Sequence, residues 1–104
     1  MLFRSPVLVD VDPSTGCIGP AQVAAAIAAH RPRAVIPVHY AGIAADIPGI
    51  RAVCEPHGVH VVEDAAHAFP TRLGGRMVGT LSRVTCFSFY ANKTITTEIG
   101  RAHV

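Results

Sequence analysis

Polar side chains stand near the ends of apolar runs that the residue pattern predicts as β-strands. His39, Asp64 and Ser88 each lie near the carboxyl end of such a run. His67 and Lys93 follow shortly after two of these ends. In an open parallel sheet, ligands bind beyond the carboxyl ends of the strands. If the predicted strands lie side by side, these groups converge along one edge of the sheet.

A carboxylate and a lysine at neighbouring strand ends suit the chemistry of an aldehyde cofactor that carries a pyridine ring. The lysine amine of Lys93 can form a Schiff base with the aldehyde. The carboxylate of Asp64 can keep the pyridinium nitrogen protonated, so that the ring acts as an electron sink. The hydroxyl of Ser88, at the same edge, can donate to a phosphate group.

Each of these residues also has an ordinary structural interpretation. A lysine after a strand is commonly a solvated surface residue, and an aspartate at a strand end is commonly a cap or turn residue. Ser88 could be a strand serine without a ligand, and His67 could be satisfied by the backbone of a tight turn. For His39 we expect structural polar packing rather than a place in the site.

The elements that must position these residues alternate between strand and helix. This order implies right-handed crossovers, a mostly parallel sheet and flanking helices, which is the α/β class. The predicted order is strand 6–12, a helix that opens at Gly19-Pro20 and ends before Pro32, strand 33–39, a helix capped by Asp46 and ended by Gly58, strand 59–62, a hairpin over 71–78 with a two-glycine turn, and strand 84–89.

The composition excludes several classes of protein. Half of the 104 residues are hydrophobic and 15% are charged, which excludes intrinsic disorder. The net charge of +2 with no basic run argues against a nucleic-acid partner. The longest alanine-rich stretch, residues 23–29, is far shorter than the roughly 20 apolar residues that span a bilayer. Residues 1–6 lack the apolar core of a signal peptide, so we expect neither a membrane partner nor export.

The cysteines and histidines favour a reducing compartment and no metal. The three cysteines, Cys17, Cys54 and Cys86, are an odd number at wide spacing, so we expect no disulfide framework and a cytoplasmic protein. No Cys-x-x-Cys or His-x-x-x-His pair occurs, and His57 and His60 straddle a predicted helix end and a strand. We therefore expect no metal site.

Three segments resemble the DegT/StrS family of nucleotide-sugar aminotransferases. They are Val62-Glu63-Asp64-Ala65-Ala66-His67-Ala68, Gly75-Arg76-Met77-Val78-Gly79 and Cys86-Phe87-Ser88-Phe89-Tyr90-Ala91-Asn92-Lys93-Thr94-Ile95-Thr96-Thr97. Two earlier segments, Val9-Asp10-Val11-Asp12-Pro13 and Pro37-Val38-His39-Tyr40-Ala41-Gly42, are similar to family segments as well. The resemblance runs over about residues 6–97. The Glu-Asp-Ala-Ala-His and Ser-Phe-Tyr-Ala-x-Lys segments make it specific together, with Asp64 and Lys93 29 positions apart.

The resemblance implies part of the large domain of a fold type I enzyme that depends on pyridoxal 5'-phosphate. By position, Lys93 looks like the Schiff-base lysine and general acid/base, and Asp64 like the partner of the pyridine nitrogen. His67 stands where the family has Gln or His near the ring, and Ser88 resembles the serine that contacts the phosphate. The implied reaction moves an amino group, usually from glutamate, to a keto group of a nucleotide-sugar, in a homodimer.

The chain also departs from the family. The glycine/threonine segment that helps to bind the phosphate, the aromatic residue that stacks on the ring and the small C-terminal domain have no counterpart among its residues. We therefore expect a single incomplete domain that is inactive alone. Residues 98–104 do not continue the family's Gly-Glu-Gly-Gly pattern, and both ends resemble translated sequencing adapters. We expect residues 1–5 and 98–104 to be non-native flanks.

Three other functions stay open at this point. A dehydratase that acts on sugars with pyridoxal phosphate is one, although some such relatives replace the lysine, so Lys93 argues against it. A regulatory or binding protein that keeps the same fold is another, and the Asp64/Lys93 pair argues against that. A dinucleotide-binding domain is the third, but no Gly-x-Gly-x-x-Gly follows the first predicted strand.

Overall fold

The computed structural model describes residues 5–96, and the expectations for residues 1–4 and 97–104 lie outside the described residues. Two sheets and two α-helices make up the described part. The elements are α1 (Pro20–His30), β1 (Ala34–Val35), α2 (Ile47–Cys54), β2 (His60–Asp64), β3 (Arg72–Leu73), β4 (Arg76–Met77) and β5 (Val84–Cys86), with 3₁₀ turns at Tyr40–Gly42 and Glu55–His57.

The larger sheet has three parallel strands in the order β1-β2-β5. The central strand, β2, pairs with β1 on one side, where Val61 lies opposite Val35. On the other side it pairs with β5, where Asp64 lies opposite Cys86. Helix α1 packs against α2, and α2 packs against β2. The predicted α/β class with a parallel sheet is confirmed, and the carboxyl ends of these strands lie at one edge.

The strand predicted over residues 33–39 is interrupted. Regular pairing covers Ala34–Val35 only, because Pro37 has no N–H to donate to the ladder. The chain rejoins β2 just beyond, where Val38 forms a parallel bridge with Asp64. The apolar middle of this segment predicts a strand that helices cover on both faces. That expectation is wrong, since the side chain of Ile36 is 63% exposed. The strand predicted over 59–62 forms over His60–Asp64, and the strand predicted over 84–89 forms over Val84–Cys86.

The strand predicted over residues 6–12 does not form among the described residues. A strand requires a partner for its backbone groups, and no described segment pairs with this one. Leu8 is accordingly 95% exposed. The segment Asp12-Pro13-Ser14-Thr15-Gly16 that follows has the residues of a turn and does form one. The Asp12 carboxylate accepts hydrogen bonds from the Ser14 hydroxyl and backbone N–H at 2.6 and 2.8 Å. Both hydrogen bonds lower the pKa of Asp12, and the bond from the hydroxyl has the larger effect.

Both predicted helices form with the expected ends. Helix α1 has Pro20 at its first position and ends at Arg31, whose φ of 46° is left-handed. Asp46 caps α2 by accepting a hydrogen bond from the Gly49 N–H at 3.0 Å. Helix α2 passes into a 3₁₀ turn before Gly58, whose φ is 65°. Within residues 5–96 we find no helix with the length and apolarity to cross a membrane.

The hydrophobic core lies where the helices meet the sheet and the loops around it. Val23 and Ile27 of α1 and Ile47 and Ile50 of α2 are buried, as the predicted apolar faces require. The other buried apolar residues of the cluster are Cys17, Ala45, Cys54, Val59, Ala65, Ala68, Val78 and Leu81. The predicted hairpin is confirmed as well, because Gly74 and Gly75 have positive φ and join β3 to β4.

We predict that the three cysteines differ in reactivity. Cys86 is exposed, whereas Cys17 and Cys54 are buried. Burial, and to a lesser degree the Glu55 carboxylate, raises the pKa of the Cys54 thiol. Iodoacetamide should therefore alkylate Cys86 first in the folded 104-residue chain, as read by peptide mass spectrometry, with all three reacting in urea. Alkylation of Cys54 as fast as Cys86 would contradict the fold.

The raised pKa of Cys54 also sets a pH dependence. The folded state favours the protonated thiol, so this contribution to stability is fully present below the unfolded pKa of a thiol. It is lost as the pH rises through the higher folded pKa. The Cys54→Ala protein should accordingly lose less stability than the parent protein as the pH is raised through this range, as read by urea titration.

Candidate functional site at the strand ends

A cavity of about 400 Å³ lies beyond the carboxyl ends of the parallel strands. Its walls come from the residues that follow β2 and β5, with Ala41 added from the turn after β1. The lining residues are Ala41, Ala65, Ala66, His67, Phe69, Phe87, Ser88, Phe89, Asn92, Lys93, Thr94 and Ile95. This position agrees with the rule that ligands of parallel sheets bind at this edge.

Three of the four predicted site residues line this cavity together. His67 comes from the segment after β2, and Ser88 and Lys93 come from the segment after β5. Ser88 and Lys93 are half-buried, whereas His67 is exposed. A turn brings Lys93 back towards Ser88, because the backbone N–H of Lys93 donates to the Tyr90 carbonyl at 2.9 Å. The Ser88 hydroxyl oxygen accepts from the Tyr90 N–H at 3.3 Å.

The fourth predicted residue, Asp64, is the last residue of β2 and is half-buried, but it does not line the cavity. Its Oδ1 accepts a hydrogen bond from the Ala66 N–H at 3.0 Å, which shapes the turn that leads to His67. Asp64 therefore acts as the turn residue that the sequence analysis gives as its ordinary structural interpretation. Its neighbour Ala65 does line the cavity, and the Ala65 N–H donates to the Cys86 carbonyl at 2.8 Å.

Aromatic rings form one wall of the cavity. The rings of Phe69 and Phe87 meet edge to face, with centroids 5.9 Å apart and planes at 85°. Such a pair fixes both rings beyond what their buried area alone provides. Gly79 packs directly behind Phe87, because a Cβ at Gly79 would lie 3.0 Å from the ring carbon Cζ. The close approach of the Phe87 ring explains why position 79, in the loop after the hairpin, is a glycine.

His39 lies outside the cavity, in the structural packing that the sequence predicts for it. It is fully buried, its Nε2 lies 2.7 Å from Oε2 of Glu63, and its Nδ1 accepts the Ala45 N–H at 3.0 Å. Sequence reasoning gave Glu63 no role. The signal that could have found it is an acidic residue inside an apolar run, on the face opposite to Asp64.

Other lining residues were missed because their types carry no chemical signal. Ala41 adopts a left-handed conformation with φ of 51°, which is uncommon for a residue with a Cβ. Nothing in the local sequence marks that strain. The rings of Phe69 and Phe87 are ordinary apolar residues until the fold brings them together.

The donor set fits a planar ligand that carries a carbonyl and a phosphate. The volume lies within the range of small-molecule sites, which is about 300–1,000 Å³. An amine, a hydroxyl and an imidazole face a space with aromatic and methyl walls. A ring can pack on such walls while the polar groups hold its substituents. Among residues 5–96, no group of three metal-ligating side chains lies together.

Comparisons with known proteins give a consistent result. A family model described as the DegT/DnrJ/EryC1/StrS aminotransferase family matches residues 2–102. The chain is 44% identical over 96 residues to the spore coat polysaccharide biosynthesis protein SpsC of Bacillus subtilis (strain 168). That alignment covers 92% of the chain and 24% of the relative, so the chain spans about a quarter of the length of this relative.

Two solved structures are similar in fold and in sequence. The structure of DesI in the presence of its TDP-sugar product has a TM-score of 0.81 and 40% identity, over 88% of this chain and 23% of that one. NtdA from Bacillus subtilis, with the cofactor PMP bound, has a TM-score of 0.76 and 28% identity, over 88% of this chain and 20% of that one.

The packing of Gly79 behind Phe87 gives a test of the cavity wall. Gly79→Ala should displace the Phe87 ring and weaken binding of pyridoxal phosphate several-fold, as measured by absorbance titration of the full-length protein. The matched control is Gly75→Ala, since Gly75 also has a positive φ of 80° but has open space around it. Each substitution should cost about 1–2 kcal/mol of stability from strain. Equal affinities of the two variants would contradict the predicted wall.

Proposed function

The chain belongs to the DegT/DnrJ/EryC1/StrS aminotransferase family, and on that premise we propose that the full-length protein is an aminotransferase that uses pyridoxal phosphate. In this proposal it transfers an amino group, from glutamate, to a keto group of a nucleotide-sugar. One observation carries it: Ser88, His67 and Lys93 reach the same cavity from two different strand ends.

The relatives support the cofactor and the substrate class. PMP, the amino form of the cofactor, is bound in NtdA. DesI was solved with its TDP-sugar product, and SpsC is named for polysaccharide biosynthesis. We carry these chemical classes to this chain as part of the proposal. The cavity offers an amine, a hydroxyl and an imidazole to the cofactor, and the substrate class is carried over from the relatives.

Pyridoxal phosphate, when bound, supplies a conjugated ring that accepts the electron pair left when a C–H bond breaks next to the amine. Lys93 would hold its aldehyde end and, as a free amine, would take the proton on Nζ and return it. Lys93 is the only lysine in the 104 residues, so this segment has one candidate for that role.

The other residues would bind and orient the cofactor. Asp64 would hold the proton of the ring nitrogen from the end of β2, and the Ser88 hydroxyl would donate to the phosphate. His67, from the same loop as the alanines of the cavity wall, would lie beside the ring. Phe69 and Phe87 would exclude water from that side of the ring, which strengthens the charge interactions within the site.

We further propose, as properties of the full-length protein, a homodimer in the cytoplasm. Cys17, Cys54 and Cys86 are all free thiols, which is consistent with the reducing compartment in this proposal. We also propose that residues 1–104 form a single incomplete domain, in which about residues 6–97 are the family-like segment and residues 1–5 and 98–104 are non-native flanks. A genomic clone that encodes residues 98–104 would end that last proposal.

The role of Lys93 gives a direct spectroscopic prediction. The full-length protein should show a near-visible absorbance band from the cofactor held on a lysine, and glutamate should shift this band. Lys93→Ala should abolish the lysine-dependent band and lower kcat by several orders of magnitude, because the group that moves the proton is gone.

The control is Arg33→Ala, which removes a cation just before β1, at the end of the sheet opposite to the cavity. It should keep both the band and its response to glutamate. A band that survives in Lys93→Ala would refute the role of Lys93. A parent band that no amino donor shifts would favour a regulatory protein or a dehydratase.

The isolated 104-residue chain should not transfer amino groups at steady state. It spans 24% of the length of SpsC, and exposed apolar residues such as Val84, on the edge strand β5, lack a covering neighbour among the described residues. Purified chain and full-length protein should be compared with glutamate and a keto-sugar nucleotide. Turnover by the chain alone would contradict this expectation.

A further inference from the structure

A buried hydrogen-bonded cluster lies beneath the strand ends and has no part in the mechanism given above. Glu63 is fully buried in β2, and its Oε2 lies 2.7 Å from Nε2 of the fully buried His39. Its Oε1 accepts from the hydroxyls of Ser82 at 2.5 Å and Thr85 at 3.2 Å. Ala45 completes the cluster, because its backbone N–H donates to Nδ1 of His39 at 3.0 Å.

The contact with Ala45 determines the tautomer of His39. A backbone N–H can only donate, so Nδ1 of His39 must carry a lone pair. In the neutral ring the proton then lies on Nε2, which donates to Glu63. Both carboxyl oxygens of Glu63 therefore have side-chain hydrogen-bond partners, and the Ser82 hydroxyl also lies 3.1 Å from the Val84 carbonyl.

A carboxyl group at this depth is costly for the fold, because it loses its hydration. Its hydrogen bonds compensate that loss, but replacing a buried polar set by apolar groups of the same shape is often nearly neutral or stabilising. The neighbouring core already contains Ile47 and Ile50, both fully buried. Stability therefore gives a weak reason for Glu63, and its geometry gives a stronger one.

The cluster joins all three strand ends one layer below the cavity. Glu63 directly precedes Asp64, and Thr85 is its partner in β5, next to the Asp64–Cys86 pair. His39 is also the residue whose backbone N–H donates to the Asp64 carbonyl at 3.0 Å. His39 therefore contacts the end of β2 at two adjacent residues. Its side chain bonds to Glu63, and its backbone N–H donates to the carbonyl of Asp64.

We propose that Glu63 and His39 are positioning residues. They set the orientation of Asp64 relative to the Ser88–Lys93 segment, whose start Glu63 reaches through Thr85. They act on the reaction without touching substrate or cofactor. This inference rests on the proposed function, because it assigns the cluster to the same site. Small displacements of reacting groups are enough to matter, since a shift of about 1 Å can cost roughly a hundredfold in rate.

Glu63→Gln in the full-length holoenzyme is the sharpest substitution. The amide keeps the volume and can still accept from Ser82 and Thr85, but its NH₂ then faces the Nε2–H of His39, so two donors meet. We expect a loss in kcat of roughly ten- to a hundredfold with KM for glutamate changed little. We also expect the pH dependence of the cofactor's visible band to move towards that of Asp64→Asn.

The control is Ile50→Val, which loosens the neighbouring core without removing a hydrogen-bonding group of the cluster. It should lower the melting temperature while kcat per bound cofactor and the visible band stay those of the parent. If Glu63→Gln behaves like Ile50→Val, with reduced stability and an unchanged band and kcat, the cluster is only structural and the inference is overturned.

Thr85→Val is the second variant, in case Glu63→Gln does not fold. It is close to isosteric and removes one of the three donors to Glu63, so it should give a smaller change in the same direction. A folded Thr85→Val protein with the parent band and kcat would overturn the inference. If the parent protein itself has no lysine-bound cofactor band, the proposed function fails first and the positioning role falls with it.

Discussion

The parallel register of β2 between β1 and β5 is the constraint on which the rest of the structure depends. It aligns Asp64 with Cys86, so the segments that leave the two strands begin side by side. Every predicted site residue stands at the end of one of these strands or in a segment that follows it. If β2 slipped by one residue, its alternating side chains would exchange faces, and Glu63 would take the place of Asp64 at the end of the strand.

The two acidic residues at the end of β2 therefore have opposite tasks. Glu63 points into the packed side, where three donors surround its carboxylate. Asp64, one residue later, is half-buried and shapes the turn that carries His67 to the cavity. The core supplied by α1 and α2 holds this arrangement from one side. The exposed apolar residues of the edge strands indicate surfaces that the remainder of a longer protein would cover.

Much of this arrangement could be predicted from the sequence, because it depends on local rules. Pro20, Asp46 and the glycine pair of the hairpin mark element ends by their own backbone chemistry. Strand extents were less predictable: the segment 6–12 has a strand pattern, but a strand exists only where a partner does. The cavity walls and the Glu63 cluster depend on contacts between distant segments, which no local pattern encodes.

The most direct test of the central claim is to find where the cofactor is held. Borohydride reduction of the full-length holoenzyme, followed by peptide mass spectrometry, fixes the cofactor to the amine that binds it. Our account predicts the added mass on the peptide that contains Lys93, the one lysine of this segment. Added mass on a lysine elsewhere in the protein, or on none, would contradict it.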